Sequence, residues 1–183
     1  MSGKALQGVR VIDLTVWFQG PVCAQYLADF GADVIKVERP QGGDQARGVR
    51  SIKSLEIGDW NQYFLVINRN KQSMAIDLKK PEGQEILYRL VEKSDVFLTN
   101  LSPEMIAGWN LSYEKLSAIN PKLVYATNTG YGRFSKVTKP SFDMSGPSLG
   151  NSGERMRAMV VGMLKTSCAT LQHTRLVSSS GAQ

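Results

Sequence analysis

The chain has 183 residues, 42% of them hydrophobic and 21% charged, which is the composition of a globular domain with its own core and not of a disordered or fibrous chain. A formal net charge of +6 favours anionic ligands, yet the basic residues are scattered, with no stripe interleaved with aromatics and no helix-turn-helix or RNA-binding signature, so nucleic acid is set aside. No apolar run reaches the length of a membrane span, Met1–Gly8 has no signal-peptide core, and Cys23 and Cys168 are too few for a disulfide framework or a cysteine metal site, so the expectation is a cytoplasmic protein with no membrane contact.

Val9–Leu14 is a short apolar run that predicts a first strand. Gly20-Pro21 opens a helical pattern that places Val22, Cys23, Tyr26, Leu27 and Phe30 on one face, and Gly31 closes it. On that face Cys23 reads as a packed thiol. Val34–Val37 is the second strand, and Glu38-Arg39-Pro40 ends it. This first β-α-β unit puts the Arg39 guanidinium at the carboxyl end of a strand, where open α/β sheets bind nucleotides. Gln41–Asp59 is a polar loop at the same edge, suited either to cover a ligand or to serve as a solvated connection.

Trp60–Asn68 reads as a short helix or an extended segment, and Ser73–Leu78 as a third strand. Pro81 fits the first position of a helix whose period runs through Ile86, Leu87, Leu90 and Val91 to Lys93. Asp95–Asn100 predicts a fourth strand. Pro103–Ala107 and Tyr113–Ile119 predict short helices, the second capped from Ser112. Leu123–Asn128 is a fifth strand, followed by a tight turn at Gly130-Tyr131-Gly132. This alternation predicts an α/β fold, a Rossmann-like parallel sheet with helices on both faces. Met156–Leu164 is apolar enough for one more helix. Residues 1–165 are expected to form the domain, and 166–183 a disordered or atypical tail.

No G-x-G-x-x-G follows the first strand, and no Walker loop, H-E-x-x-H or G-x-S-x-G is present. His173 is the single histidine, so a triad or a histidine metal site is not expected. What remains is carboxylate, amide and backbone chemistry.

Three blocks, in order and with their spacing kept, resemble the class III CoA-transferase family, which includes formyl-CoA transferase, carnitine CoA-transferase and the α-methylacyl-CoA racemases. The first is L-Q-G-V-R-V-I-D-L, then G-P, then L-A-D-F-G-A-D-V-I-K-V-E-R-P. The second is N-R-N-K-Q-S-M-A-I-D-L-K-K-P-E-G. The third joins S-D-V-F-L-T-N to N-P-K-L-V-Y-A-T-N-T-G-Y-G and P-S-F-D. The resemblance spans about Leu6 to Asp143 and implies coenzyme A or acyl-CoA as substrate, a small carboxylic acid as co-substrate, no prosthetic group or metal, and an intertwined homodimer.

It also assigns residues. Arg39 would hold the 3′-phosphate of CoA, a task that a forked guanidinium suits. Phe18 and Gln19 occupy the first turn, in place of the residues usual there. Ile76, Asp77, Leu78 and Lys79, with Asn100, Leu101 and Ser102, would line the adenine and pantetheine path. Thr129, Gly130, Tyr131 and Gly132 would approach the thioester. Simpler roles compete: Arg39 pairing with an acidic neighbour, and Asn100 capping the next turn.

The family's nucleophile is an aspartate that follows a glycine before a helix. At the best-matching position this chain has Asn151, directly after Gly150, and an amide cannot form the anhydride. Asp143 is the nearest carboxylate, placed by the resemblance in the preceding motif, where a structural or positioning role fits better. Gly108 stands where the transferases often have an arginine. Phe142 precedes Asp143 where the racemases carry a histidine, which argues against racemisation. The family continues beyond the matched region into a smaller domain. Two readings follow from this pattern. One is a CoA-transferase-like protein that binds CoA without the catalytic aspartate, and the other is a non-catalytic partner that dimerises with a full-length relative.

Overall fold

Runs rich in Val, Ile, Leu and Phe become strands here because both faces of the sheet they build are covered by helices. The computed structural model describes residues 3–48, 56–57 and 60–128. In chain order these form β1 (Arg10–Leu14), α1 (Gln19–Asp29), β2 (Asp33–Glu38), a 3-10 turn (Gln45–Gly48), β3 (Glu56–Ile57), β4 (Trp60–Asn61), α2 (Gln62–Asn68), β5 (Gln72–Ala75), α3 (Pro81–Val91), β6 (Val96–Thr99), α4 (Pro103–Gly108), α5 (Tyr113–Ile119) and β7 (Val124–Thr127). Five strands make a parallel sheet in the order β5-β2-β1-β6-β7, while β3 and β4 pair as a small antiparallel hairpin. Chain order reverses between β1 and β6. At such a switch point the loops leaving the carboxyl ends of the strands diverge and leave a crevice.

Alternation along the strands sorts the core into two layers. Val11, Val34, Val96 and Leu98 pack with Cys23, Ala24 and Ala28 of α1. Ile12, Leu14, Val37 and Phe97 pack with Leu87 and Val91 of α3, Ile106 of α4 and Leu116 of α5. Cys23 is buried, as expected. The face predicted for α1 needs correction. Ala24 and Ala28 lie against the sheet at 0% and 3% exposure, whereas Tyr26 and Phe30 stand outward at 49% and 58%. Small residues let the helix sit close to the strands, and the helical period then carries the two aromatics to its outer side.

Element ends follow local chemistry. Gly31 has a φ of +103°, and the Ala32 N–H bonds back to the Leu27 carbonyl, which closes α1 as a glycine terminator does. Ser112 caps α5 by accepting from the Lys115 N–H, as anticipated. The third strand of the main sheet is shorter than Ser73–Leu78. The Ile76 N–H still bonds to the Glu38 carbonyl, but the Asp77 carboxylate then accepts from the Lys79 N–H and turns the chain. Ile76 and Leu78 are buried by α3 instead of by strand pairing. Gly83 permits that packing, because a Cβ there would lie 2.1 Å from the Asp77 carbonyl oxygen. The expected helix at Met156–Leu164 lies outside the described residues.

Leu87 is fully buried in α3 while its neighbour Ile86 is 48% exposed. Leu87→Ala is therefore expected to lower unfolding free energy by about 2–5 kcal/mol. Ile86→Ala should change it by less than about 0.5 kcal/mol. Urea denaturation of both variants checks the contrast, and equal losses would contradict the layer assignment.

Candidate functional site

Four loops leave the carboxyl ends of β1, β2, β5 and β6, and they carry every candidate residue within the described part of the chain. Thr129, Gly130, Tyr131, Gly132, Asp143 and Asn151 lie outside the described residues. Phe18 stands at the N-cap of α1 and supplies no side-chain cap, so the first free N–H groups of that helix are left at the crevice edge. Its ring lies 5.8 Å from that of Tyr63, which brings the start of α2 beside the same turn. Gln19 is half-buried next to it. Ile76, Leu78 and Leu101 are buried, so only their backbones can face a ligand, whereas Lys79 is exposed and Asp77 half-buried. The Ser102 hydroxyl is spent on capping α4, where it accepts from the Met105 N–H at 3.3 Å.

Asn100 does not cap that turn. Its Oδ1 accepts from the Val16 N–H at 2.9 Å and its Nδ2 donates to the Val16 carbonyl at 2.7 Å. The side chain thus copies a peptide group and holds the β1 and β6 loops together across the switch point.

Arg39 is exposed at the end of β2, and among the described residues no carboxylate pairs with it. Its Nε donates to the Gly43 carbonyl at 2.9 Å. The acidic neighbour, Glu38, is engaged elsewhere. Glu38 accepts from Arg47 Nε and Nη2, both at 2.7 Å, from the Asp44 N–H at 2.8 Å and from the Ser73 hydroxyl at 2.9 Å. Burial works to raise its pKa, but the Arg47 hydrogen bonds, the Asp44 N–H, Ser73 and the Arg47 charge outweigh that and hold it at about 2. Arg47 also lies over the Phe64 ring, 3.8 Å from its centroid.

Under this turn lies a second set of charges. Asp13 and Lys36 are register partners on β1 and β2. The Lys71 ammonium donates to Asp13 Oδ2 and the Pro21 carbonyl at 2.8 Å and to Asn68 Oδ1 at 2.9 Å, while the Thr15 hydroxyl donates to Asp13 Oδ1. Burial draws the Lys71 pKa below its ordinary value, against the opposing pull of Asp13. Lys36 donates to the Thr15 carbonyl at 2.8 Å and sits 2.8 Å from Asp44 Oδ2. That last contact lies outside hydrogen-bonding direction, so the oxygen has charge compensation without a directed bond. Residues 41–48 are thus partly interior: Asp44 is 4% exposed and Ala46 0%, while Gln41, Gly42, Gln45 and Gly48 face solvent.

The resemblance did not single out Glu38, Arg47, Asp44, Lys36 or Lys71. A signal existed in the aspartate and the lysine set inside the apolar runs V-I-D-L and V-I-K-V, since charges in strands covered on both faces need partners. Among the described residues no cluster of three or more His, Cys, Asp or Glu side chains could hold a metal, and no helix is long and apolar enough to cross a membrane.

Comparison with known proteins decides the family. Residues 6–153 match the model of CoA-transferase family III. The chain belongs to CoA-transferase family III. It is 45% identical over 130 residues to a formyl-CoA:oxalate CoA-transferase of Bradyrhizobium sp. (strain ORS 278), and that match covers 70% of the chain and 30% of the relative. A formyl-CoA:oxalate CoA-transferase of Rhodopseudomonas palustris (strain BisB18) is 43% identical over the same length and coverage. Among solved structures, a CaiB/BaiF family protein from Brucella suis superposes with a TM-score of 0.86 at 28% identity, over 98% of this chain and 51% of that one. The orthorhombic form of Rv3272 from M. tuberculosis gives 0.73 at 33% identity, over 83% and 43%. The matched region thus spans about 30% of the length of the curated relatives.

The Glu38 cluster predicts an acid response. A carboxyl held at about 2 in the folded chain, against an ordinary 4.5, contributes stability that is present above the ordinary value and lost as pH falls toward 2. Over the interval from about pH 5 to about pH 2 the wild-type chain is expected to lose up to about 3 kcal/mol that Glu38→Gln does not. Denaturant titrations at several pH values measure this, and parallel stability curves for the two proteins would refute it.

Proposed function

We propose that this chain binds coenzyme A and acyl-CoA as part of the family's transfer of CoA from an acyl donor to a small carboxylic acid, and that it does not itself supply the nucleophile. The observation that carries the binding half is Arg39, an exposed guanidinium at the end of β2 with its terminal nitrogens free of carboxylate partners among the described residues. A phosphate monoester is the anion such a group takes best. The uncapped start of α1 adds favourable dipole at the same edge. Asn100 keeps the crevice loops in register, which supports an extended pantetheine arm lying across backbone in preference to side chains.

In the family reaction an enzyme carboxylate attacks the thioester carbonyl, expels the CoA thiolate and forms a mixed anhydride. The thiolate returns to the enzyme's own carbonyl, releasing the donor acid and leaving an enzyme thioester. The acceptor carboxylate then repeats the exchange in reverse and leaves as the new acyl-CoA. Backbone N–H groups such as those of Thr129–Gly132 suit the developing oxyanion. Asn151 stands where that carboxylate is expected, which is why the chain is assigned binding without anhydride formation. The named relatives make formyl-CoA and oxalate the first substrates to try.

Calorimetric titration with CoA should give saturable binding. Arg39→Ala removes a charge-assisted contact of about 1.5–3 kcal/mol and should weaken affinity about ten- to a hundredfold. A folded wild-type sample that gives no heat with millimolar CoA would defeat the reading. Incubation of the chain alone with formyl-CoA and oxalate should yield no oxalyl-CoA, and steady turnover would show that a carboxylate of this chain, Asp143 first among them, does the work.

A further inference from the structure

Arg39 is a long, exposed side chain, and a free arginine of that kind loses considerable rotamer entropy when it grips a ligand. Here much of that cost is already met. The Gly43 carbonyl holds Nε at 2.9 Å, and the turn wraps the guanidinium so closely that a Cβ on Gly42 would lie 3.5 Å from Nη2. The bond to Nε occupies one donor of the planar group, and among the described residues no carboxylate takes up the terminal nitrogens.

The carbonyl that does this belongs to a backbone with little freedom to move. Gly43 has a φ of +61°, and a Cβ on it would sit 2.6 Å from Glu38 Oε2 and 2.8 Å from Arg47 Cδ. Glu38 lies beneath the turn at 7% exposure, and both of its oxygens are saturated by Arg47, the Asp44 N–H and the Ser73 hydroxyl. Ser73 ties this cluster to β5, Phe64 ties Arg47 to α2, and Lys36 fixes the far corner through Asp44.

We propose that Glu38 and Arg47 are positioning residues that preset Arg39 for the 3′-phosphate of coenzyme A, by fixing the turn whose Gly43 carbonyl holds the Arg39 guanidinium. The inference rests on the CoA-binding reading above. It makes the Glu38–Arg47 pair a determinant of preference for CoA over 3′-dephospho-CoA, which has the same adenine, diphosphate and pantetheine and lacks only the monoester. Glu38→Gln keeps the shape of the side chain but turns one acceptor oxygen into an NH₂ donor facing donors, so the turn is released. Arg47→Lys keeps the positive charge and loses the bidentate fork.

The experiment titrates CoA and 3′-dephospho-CoA into the wild-type chain, Glu38→Gln and Arg47→Lys, each first shown folded by circular dichroism. The wild type should prefer CoA by about tenfold or more, the value of one charged hydrogen-bonded contact. In the variants this preference should fall at least about threefold, while affinity for dephospho-CoA stays within about twofold of wild type. A merely structural role would weaken both ligands alike, so an unchanged ratio in a folded variant overturns the inference and leaves the CoA reading standing. If Glu38→Gln does not fold, Arg47→Lys decides the matter by the same ratio. A wild-type chain that binds neither ligand, or both equally, overturns the phosphate reading itself and the inference with it.

Discussion

The carboxyl edge of this sheet depends on charges that are buried and cancel. Asp13 with Lys71 and Lys36 with Asp44 are nearly solvent-free, and Glu38 with Arg47 lies directly above them. Taking one partner from a buried pair leaves an uncompensated charge at a cost of about 3–5 kcal/mol, whereas a complete pair contributes little net stability. Such a cluster therefore specifies more than it stabilises. Its members come from β1, β2, the turn after β2 and the segment leading into β5, so it ties those four segments to one another. That arrangement sets where the β2 loop lies and, through it, where Arg39 points.

Much of the fold is legible in the sequence because its signals are local. The run V-R-V-I-D-L, the glycine after Phe30, Pro81 at the start of α3 and Ser112 before α5 each act over a few residues, and each element stands where those residues put it. Arg39 is legible for the same reason, being the residue that follows the second strand of a β-α-β unit. The face of α1 was harder to read. Its largest apolar residues draw the eye to the wrong side, and only the packing of the small Ala24 and Ala28 on the sheet shows that Tyr26 and Phe30 turn outward.

The charge network is illegible for a different reason. Asp13 meets Lys71 across 58 positions of chain, and Ser73 meets Glu38 across 35, so no local pattern announces the pairing. The sequence shows only that Asp13 and Lys36 interrupt apolar runs and that each must find a partner. Likewise, the polar character of Gln41–Gly48 looks like solvation, yet Asp44 and Ala46 are interior. The pairing of Asn100 with Val16, 84 positions apart, is likewise invisible to local pattern, yet it binds both ends of the Asn100 amide.

That amide has a chemical consequence. Position 100 requires one donor and one acceptor at a fixed reach, a pairing that aspartate lacks and glutamine overshoots. An aspartate at this position would set a negative oxygen against the Val16 carbonyl with no change in side-chain size. Two loops 84 positions apart are thus fastened by one side chain that must offer both polarities at once.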